Sequence, residues 1–128
     1  IGQFEIRFEM QRHAWKTLLL NGDAAGNLQR HWEAFQQQEA AVRELGRQLR
    51  AGIGEAAIRG DIDTLLAGHD RLGRLYRDAF QAYRAGELSA RETDSRVSRV
   101  SDTLLQQGAD LIQREPEFAA VSDEGQPV

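Results

Sequence analysis

Residues 4–20 read Phe4-Glu5-Ile6-Arg7-Phe8-Glu9-Met10-Gln11-Arg12-His13-Ala14-Trp15-Lys16-Thr17-Leu18-Leu19-Leu20. Two stripes run through this stretch at 4-3-4-3 spacing. One is Phe4, Phe8, Gln11, Trp15 and Leu18; the other is Ile6, Met10, His13, Thr17 and Leu20. Both have helical periodicity. They are offset by two residues, about 200° around a helix of roughly 3.6 residues per turn, so they lie on opposite faces. A helix in a bundle needs one buried face, and a second apolar face needs a second partner. The pattern therefore predicts a helix that packs into its own chain on one side and against another copy on the other. A two-fold homodimer with Ile6, Met10, His13, Thr17 and Leu20 at its interface is the expectation. The plainer alternative is ordinary exposure of scattered apolar side chains.

Three more helical patterns follow. One carries Leu28, Trp32, Phe35, Glu39, Val42, Gly46 and Leu49 in its seam. The next carries Ile62, Leu65, His69, Leu72, Tyr76, Ala79 and Tyr83, with Leu66 and Phe80 alongside. The last carries Val97, Val100, Leu104, Gln107 and Leu111. Helices are predicted at about 3–20, 25–50, 61–85 and 89–114. Asn21-Gly22-Asp23 reads as a turn with Asp23 as the next N-cap, and Gly60-Asp61 as a joint capped by Asp61. Gly86 is placed to end the third helix, and Ser89-Ala90-Arg91-Glu92 has capping-box spacing. Short connections between long helices make antiparallel neighbours. The predicted fold is all-α, an up-down-up-down four-helix bundle over residues 1–115. The polar stretch 116–128, with Pro116 and Pro127, reads as a flexible tail.

Composition narrows the function. The chain has 128 residues, enough for one domain with a modest core. Its formal net charge of -4 argues against a nucleic-acid partner or a general anionic-membrane surface. There is no cysteine, hence no disulfide framework, thiolate metal site or Cys nucleophile. His13, His31 and His69 form no HxxxH or HExxH pair, so no metal is expected. No nucleophile motif, GxGxxG or P-loop occurs, so neither an enzyme nor a cofactor is expected. The chain opens at Ile1 without Met, and the expectation is that it is a piece of a longer protein.

Two polar residues occupy apolar positions. Glu39 and His69 each lie about 16 residues from the same end of the bundle, so they are predicted to face each other and hydrogen-bond, with Gln107 close in height. Such a pair either fixes helix register or belongs to a ligand pocket. Arg71, Arg74, Arg77 and Arg84 line the third helix, and some could meet a small anion.

Several motifs together resemble a known family. Phe8, Gln11, Trp15, Lys16, Leu19, Leu20 and Gly22 fit F-x-x-Q-x-x-x-W-K-x-x-L-L-x-G. Trp32, Phe35, Gln38, Glu39 and Val42 fit W-x-x-F-x-x-Q-E-x-x-V, and His69, Leu72, Gly73 and Tyr76 fit H-x-x-L-G-x-x-Y. Over about residues 4–104 the chain resembles the four-helix sensor domain of bacterial methyl-accepting chemotaxis receptors. Asn21 stands where the family usually has Arg, and Ser98-Arg99-Val100-Ser101 where relatives often have Gly-Ile-Asp-Arg. The Cys and His-x-x-x-His of the zinc-binding chemoreceptor domain are absent.

The resemblance implies a periplasmic domain of an inner-membrane receptor, joined to the membrane only by transmembrane helices outside this sequence. It implies dimerisation through the first helix, and a small solute or a periplasmic binding protein as partner. Two pocket locations follow as expectations. One is the dimer interface, with Arg12, His13, Lys16, Arg91 and Arg96; the other is inside the bundle, around Trp15, Trp32, Tyr76 and Arg77. Cationic side chains favour a carboxylate or phosphate ligand. Alternatives are the sensor domain of a histidine kinase or diguanylate cyclase, or a ligand-free helical interaction module.

Overall fold

The computed structural model describes residues 3–21, 27–115 and 118. It contains four helices and, among the described residues, no strand: α1 (Gln3–Asn21), α2 (Asn27–Ala51), α3 (Ala56–Arg84) and α4 (Ala90–Arg114). The helices form a bundle in which α1 packs on α2 and α4, and α3 on the same two. Contacts descend one helix as they climb its neighbour. Trp32 meets Phe80, Glu39 meets Arg77 and Arg50 meets Asp63 between α2 and α3. Phe4 lies against Gly108, Arg12 meets Asp102 and Lys16 meets Asp94 between α1 and α4. Both pairs are thus antiparallel.

The first stripe of α1 is the core stripe: Phe4, Phe8, Gln11, Trp15 and Leu18 are all buried. An aromatic cluster fills the middle of the bundle. Trp32 stacks on Phe80 with ring centroids 4.0 Å apart, and Tyr76 stands edge-on to Trp15 (4.8 Å) and Phe35 (4.6 Å). Such offset and edge contacts add to the large area these rings bury.

The turn between α3 and α4 follows the local chemistry. Gly86, at φ 78°, takes the left-handed conformation that only glycine adopts without penalty. Glu87 N donates to Ala82 O (2.9 Å) and Gly86 N to Tyr83 O (3.1 Å), the two bonds of a Schellman ending. Ser89 and Glu92 form the reciprocal capping box, and its bonds from Ser89 hold the Glu92 carboxyl below its ordinary range.

Three sequence expectations need correction. Helix α3 begins at Ala56 and runs through Gly60-Asp61, so Asp61 is not its cap; Glu55 occupies that position without a side-chain cap bond. Burial of Ile53 and Ile58 outweighs the roughly 1 kcal/mol that an interior glycine costs a helix. The Arg59 guanidinium donates to the carbonyls of Ile53 and Gly54 and ties the turn. In α4 the buried seam is Thr93, Val97, Ser101, Leu104, Gly108 and Leu111; Gln107 is exposed and Val100 only partly covered. Gly108 takes the seam position because Phe4 fills the space, where an added Cβ would lie 3.2 Å from its ring. Third, Glu39 and His69 are both buried but are not bonded to each other, as described below. The expected turn at Gly22 and cap at Asp23 lie outside the described residues. So does the 116–128 stretch apart from Phe118, which is fully buried.

Candidate functional site

The buried polar residues separate into two groups. Glu39, 2% exposed, points from α2 to α3, where Arg77 grips both its oxygens: Nη2 to Oε1 at 2.6 Å and Nη1 to Oε2 at 3.1 Å. Arg77 Nη1 also donates to the carbonyl of Gly73, and Gly73 leaves room for the pair; a Cβ there would sit 2.8 Å from Glu39 Oε2. This bidentate fork is what a buried carboxylate needs. It explains why Glu39 does not turn to His69.

His69 reaches α1 instead, with Nε2 2.7 Å from Gln11 Oε1. Gln11 accepts, so Nε2 carries the proton and Nδ1 is bare; Nδ1 is buried without a partner. Burial pushes the His69 pKa down, with Glu39 opposing, so the ring is held neutral. Close by, Tyr76 is pushed up to about 12, chiefly by burial. Ser101 and Gln11 oppose that shift, although Ser101 Oγ and Gln11 Nε2 themselves complete no hydrogen bond.

Tyr76 and Ser101, but not His69 or Gln11, border a pocket of about 200 Å³ between α1, α3 and α4. Arg12, Trp15 and Lys16 come from α1, Tyr76 from α3, and Asp94, Ser101 and Asp102 from α4. Two of these carry buried polar atoms with no partner: Trp15 Nε1 and Ser101 Oγ. Indole N–H is only a donor and a hydroxyl can donate, so an acceptor oxygen would satisfy both. The cations are already engaged: Arg12 Nη2 lies 2.6 Å from Asp102 and its Nη1 2.9 Å from Glu9, while Lys16 Nζ is 3.9 Å from Asp94.

The residues singled out from the sequence scatter around this pocket. Arg12 and Lys16, assigned to an interface, share it with Trp15 and Tyr76, assigned to the bundle interior. Trp32 and Arg77 do not join them; one is stacked on Phe80 and the other holds Glu39. His13 lies on the opposite side of α1 from Phe8 and Trp15. There it lines a wide groove of about 910 Å³ with Ile6, Met10, Ala14, Leu105 and Ala109. Arg91 borders a shallow depression with Lys16, Leu20 and Asp94, and Arg96 is exposed on α4 beside Glu92. Arg71, Arg74 and Arg84 are exposed. The reading from sequence missed Ser101, Asp94 and Asp102. Ser101 lay four residues after Val97 and three before Leu104, the spacing that marks it as a seam position.

Ile6, Met10 and Leu20 are 40%, 41% and 80% exposed, the large hydrophobic side chains most open to solvent among the described residues. All three belong to the second stripe of α1. Among the described residues no cluster of three or more His, Cys, Asp or Glu side chains could hold a metal ion. None of their helices is long and apolar enough to cross a membrane.

No family model matches the chain, and no solved structure matches it. The chain is similar to the methyl-accepting chemotaxis protein CtpH of Pseudomonas aeruginosa, 27% identical over 121 residues. That alignment takes in 87% of this chain but 21% of the relative, so the chain spans about a fifth of the receptor it matches. The chain, with four helices among its described residues, is therefore a distant homologue of one segment of a chemotaxis receptor.

Proposed function

We propose that the chain is the periplasmic sensory domain of a transmembrane chemoreceptor. It binds a small anionic solute and signals by displacing α4 against α1 within a homodimer packed through α1. The observation that carries the ligand reading is the pocket joining α1 to α4, with Arg12 and Lys16 beside the unpartnered donors of Trp15 and Ser101. The similarity to a chemotaxis receptor supports the sensory role. The exposed stripe Ile6, Met10 and Leu20, of which Ile6 and Met10 line a wide groove, supports α1 as the dimer face. A ligand can move α4 only if it prefers one arrangement of the helices, and a pocket whose walls belong to both helices supports that reading.

The test is a thermal-shift screen of the purified domain against small carboxylates, inorganic phosphate, amino acids and divalent metals. A ligand at a hundred times its dissociation constant adds about 2.7 kcal/mol, a shift of several degrees. The expected result is a shift with at least one carboxylate or phosphate, abolished by replacing both Arg12 and Lys16 with Ala. A flat response across the panel refutes the direct-sensor reading.

A further inference from the structure

We infer that Asp102 is a resident competitor for the ligand: its carboxylate occupies Arg12 in the empty pocket and must yield when an oxyanion enters. The inference rests on the proposal that this pocket takes an anionic solute, and it adds how occupancy is linked to α4. Arg12–Asp102 and Lys16–Asp94 are the two ion pairs that join α1 to α4 among the described residues, and both border the pocket. The Arg12–Asp102 pair is tight, 2.6 Å; Lys16–Asp94 is loose, 3.9 Å.

The walls set up this competition. Trp15 Nε1, in a residue 2% exposed, and Ser101 Oγ, in one 3% exposed, have no partner. Both residues line the cavity of about 200 Å³ that Arg12 also borders, and because these two atoms are closed to solvent an entering oxygen reaches them only as the wall shifts. The guanidinium is the strongest donor available to that oxygen. With Asp102 seated on it, an entering anion meets a neutralised cation and a repelling carboxylate. With Asp102 withdrawn, it meets a guanidinium whose Nη2 is free and whose Nη1 alone stays on Glu9. Asp102 is 67% exposed, so its carboxylate can turn to water at small cost. The ligand thereby replaces a contact to α4 with a contact to itself, and the clasp between α4 and α1 opens as the pocket fills. This supplies the difference between empty and occupied states that signalling requires.

The test uses Trp15 as the reporter, in a Trp32→Phe background that leaves one tryptophan. Acetate, succinate and inorganic phosphate are titrated at constant ionic strength, following indole emission. Asp102→Asn should tighten the best of these probes about three- to fivefold, the range an exposed ion pair permits. Arg12→Gln should weaken it at least tenfold. Asp110→Asn makes the same charge change on the same helix, away from the pocket, and should leave binding unaltered. If the parent binds a probe and Asp102→Asn does not tighten it, the clasp is refuted while the anion reading stands. Equal tightening by Asp110→Asn reduces the effect to net charge and also refutes the clasp. If no probe alters Trp15 emission in either the parent or Asp102→Asn, the anion reading falls, and the clasp with it.

Discussion

Replacing Arg77 with Met removes the one hydrogen-bonded partner, among the described residues, of a carboxylate that is 2% exposed, while keeping an unbranched aliphatic stem. Breaking a buried ion pair from one side costs roughly 3–5 kcal/mol, because a charge is left in a low-dielectric site without compensation. The Arg77 side chain is 42% exposed, so water can reach the vacated position and solvate part of the charge. The expected loss is therefore about 2–3 kcal/mol. For a chain of this size that lowers the melting temperature by roughly 10 °C. Urea unfolding at neutral pH, followed by far-UV circular dichroism, measures it directly. The diagnostic variant is the double substitution Glu39→Gln with Arg77→Met. A neutral amide of the same shape removes the stranded charge, so the double variant should return to within about 1 kcal/mol of the parent. A loss below about 1 kcal/mol in Arg77→Met, or a double variant no more stable than the single, would refute the assignment of Arg77 as the group that permits Glu39 to be buried.

Two glycines of α3 should respond oppositely to alanine. Gly60 is exposed with nothing near its missing Cβ, so Gly60→Ala should stabilise by about 0.5–1 kcal/mol. Gly73→Ala presses on the pinned Glu39–Arg77 pair and should destabilise by about 1 kcal/mol; equal shifts in denaturant midpoint for the two would contradict this. His69 is held neutral by burial, with Gln11 on α1, Glu39 and Arg43 on α2, and Asp70 and Arg77 on α3 around it. Its folded pKa lies below the ordinary 6.5, so the unfolded chain binds the proton first. Its contribution to stability is complete above that value and is lost as pH falls through the folded pKa, with a slope of at most about 1.4 kcal/mol per pH unit. His69→Gln should remove that part of the acid slope in unfolding measurements from neutral pH to about pH 5. Met10→Lys should weaken self-association in analytical ultracentrifugation without altering the far-UV spectrum, since Met10 is an exposed member of the outer α1 stripe; an unchanged sedimentation coefficient at every concentration would count against α1 as the dimer face.

The helices were legible because burial follows period. Every member of the first α1 stripe is buried, and the seam of α2 from Trp32 to Leu49 is buried at each position read from the sequence. The third helix misled at its start because Gly60-Asp61 has the local chemistry of a joint, yet a long-range demand to bury Ile58 overrides it. The fourth misled at Gln107 because periodicity counts apolar residues, whereas this seam is completed by Ser101 and Gly108. Small residues carry no hydrophobic signal; they are selected by how closely Phe4 and its neighbours approach.

The site was less legible for a related reason. Of the residues that carry the resemblance, Phe8, Gln11, Trp15, Trp32, Phe35, Glu39, Val42, His69, Leu72, Gly73 and Tyr76 are all buried. Their roles here are packing and internal hydrogen bonding: rings stacked on rings, Gln11 on His69, Gly73 making way for Glu39 and Arg77. Such a motif specifies a bundle with polar cross-links and does not by itself specify a ligand. Arg12, Asp94, Ser101 and Asp102 all fall outside those motif positions, and three of the four lie on α4, where the sequence departs most from the family pattern at Ser98-Arg99-Val100-Ser101. Trp15 is the exception that joins the two sets. Its ring belongs to the aromatic core, the residue lines the pocket bordered by α1 and α4, and its Nε1 is buried without a partner. Under the proposed function, a solute in that pocket would therefore bear directly on the packing of α1, without a separate relay.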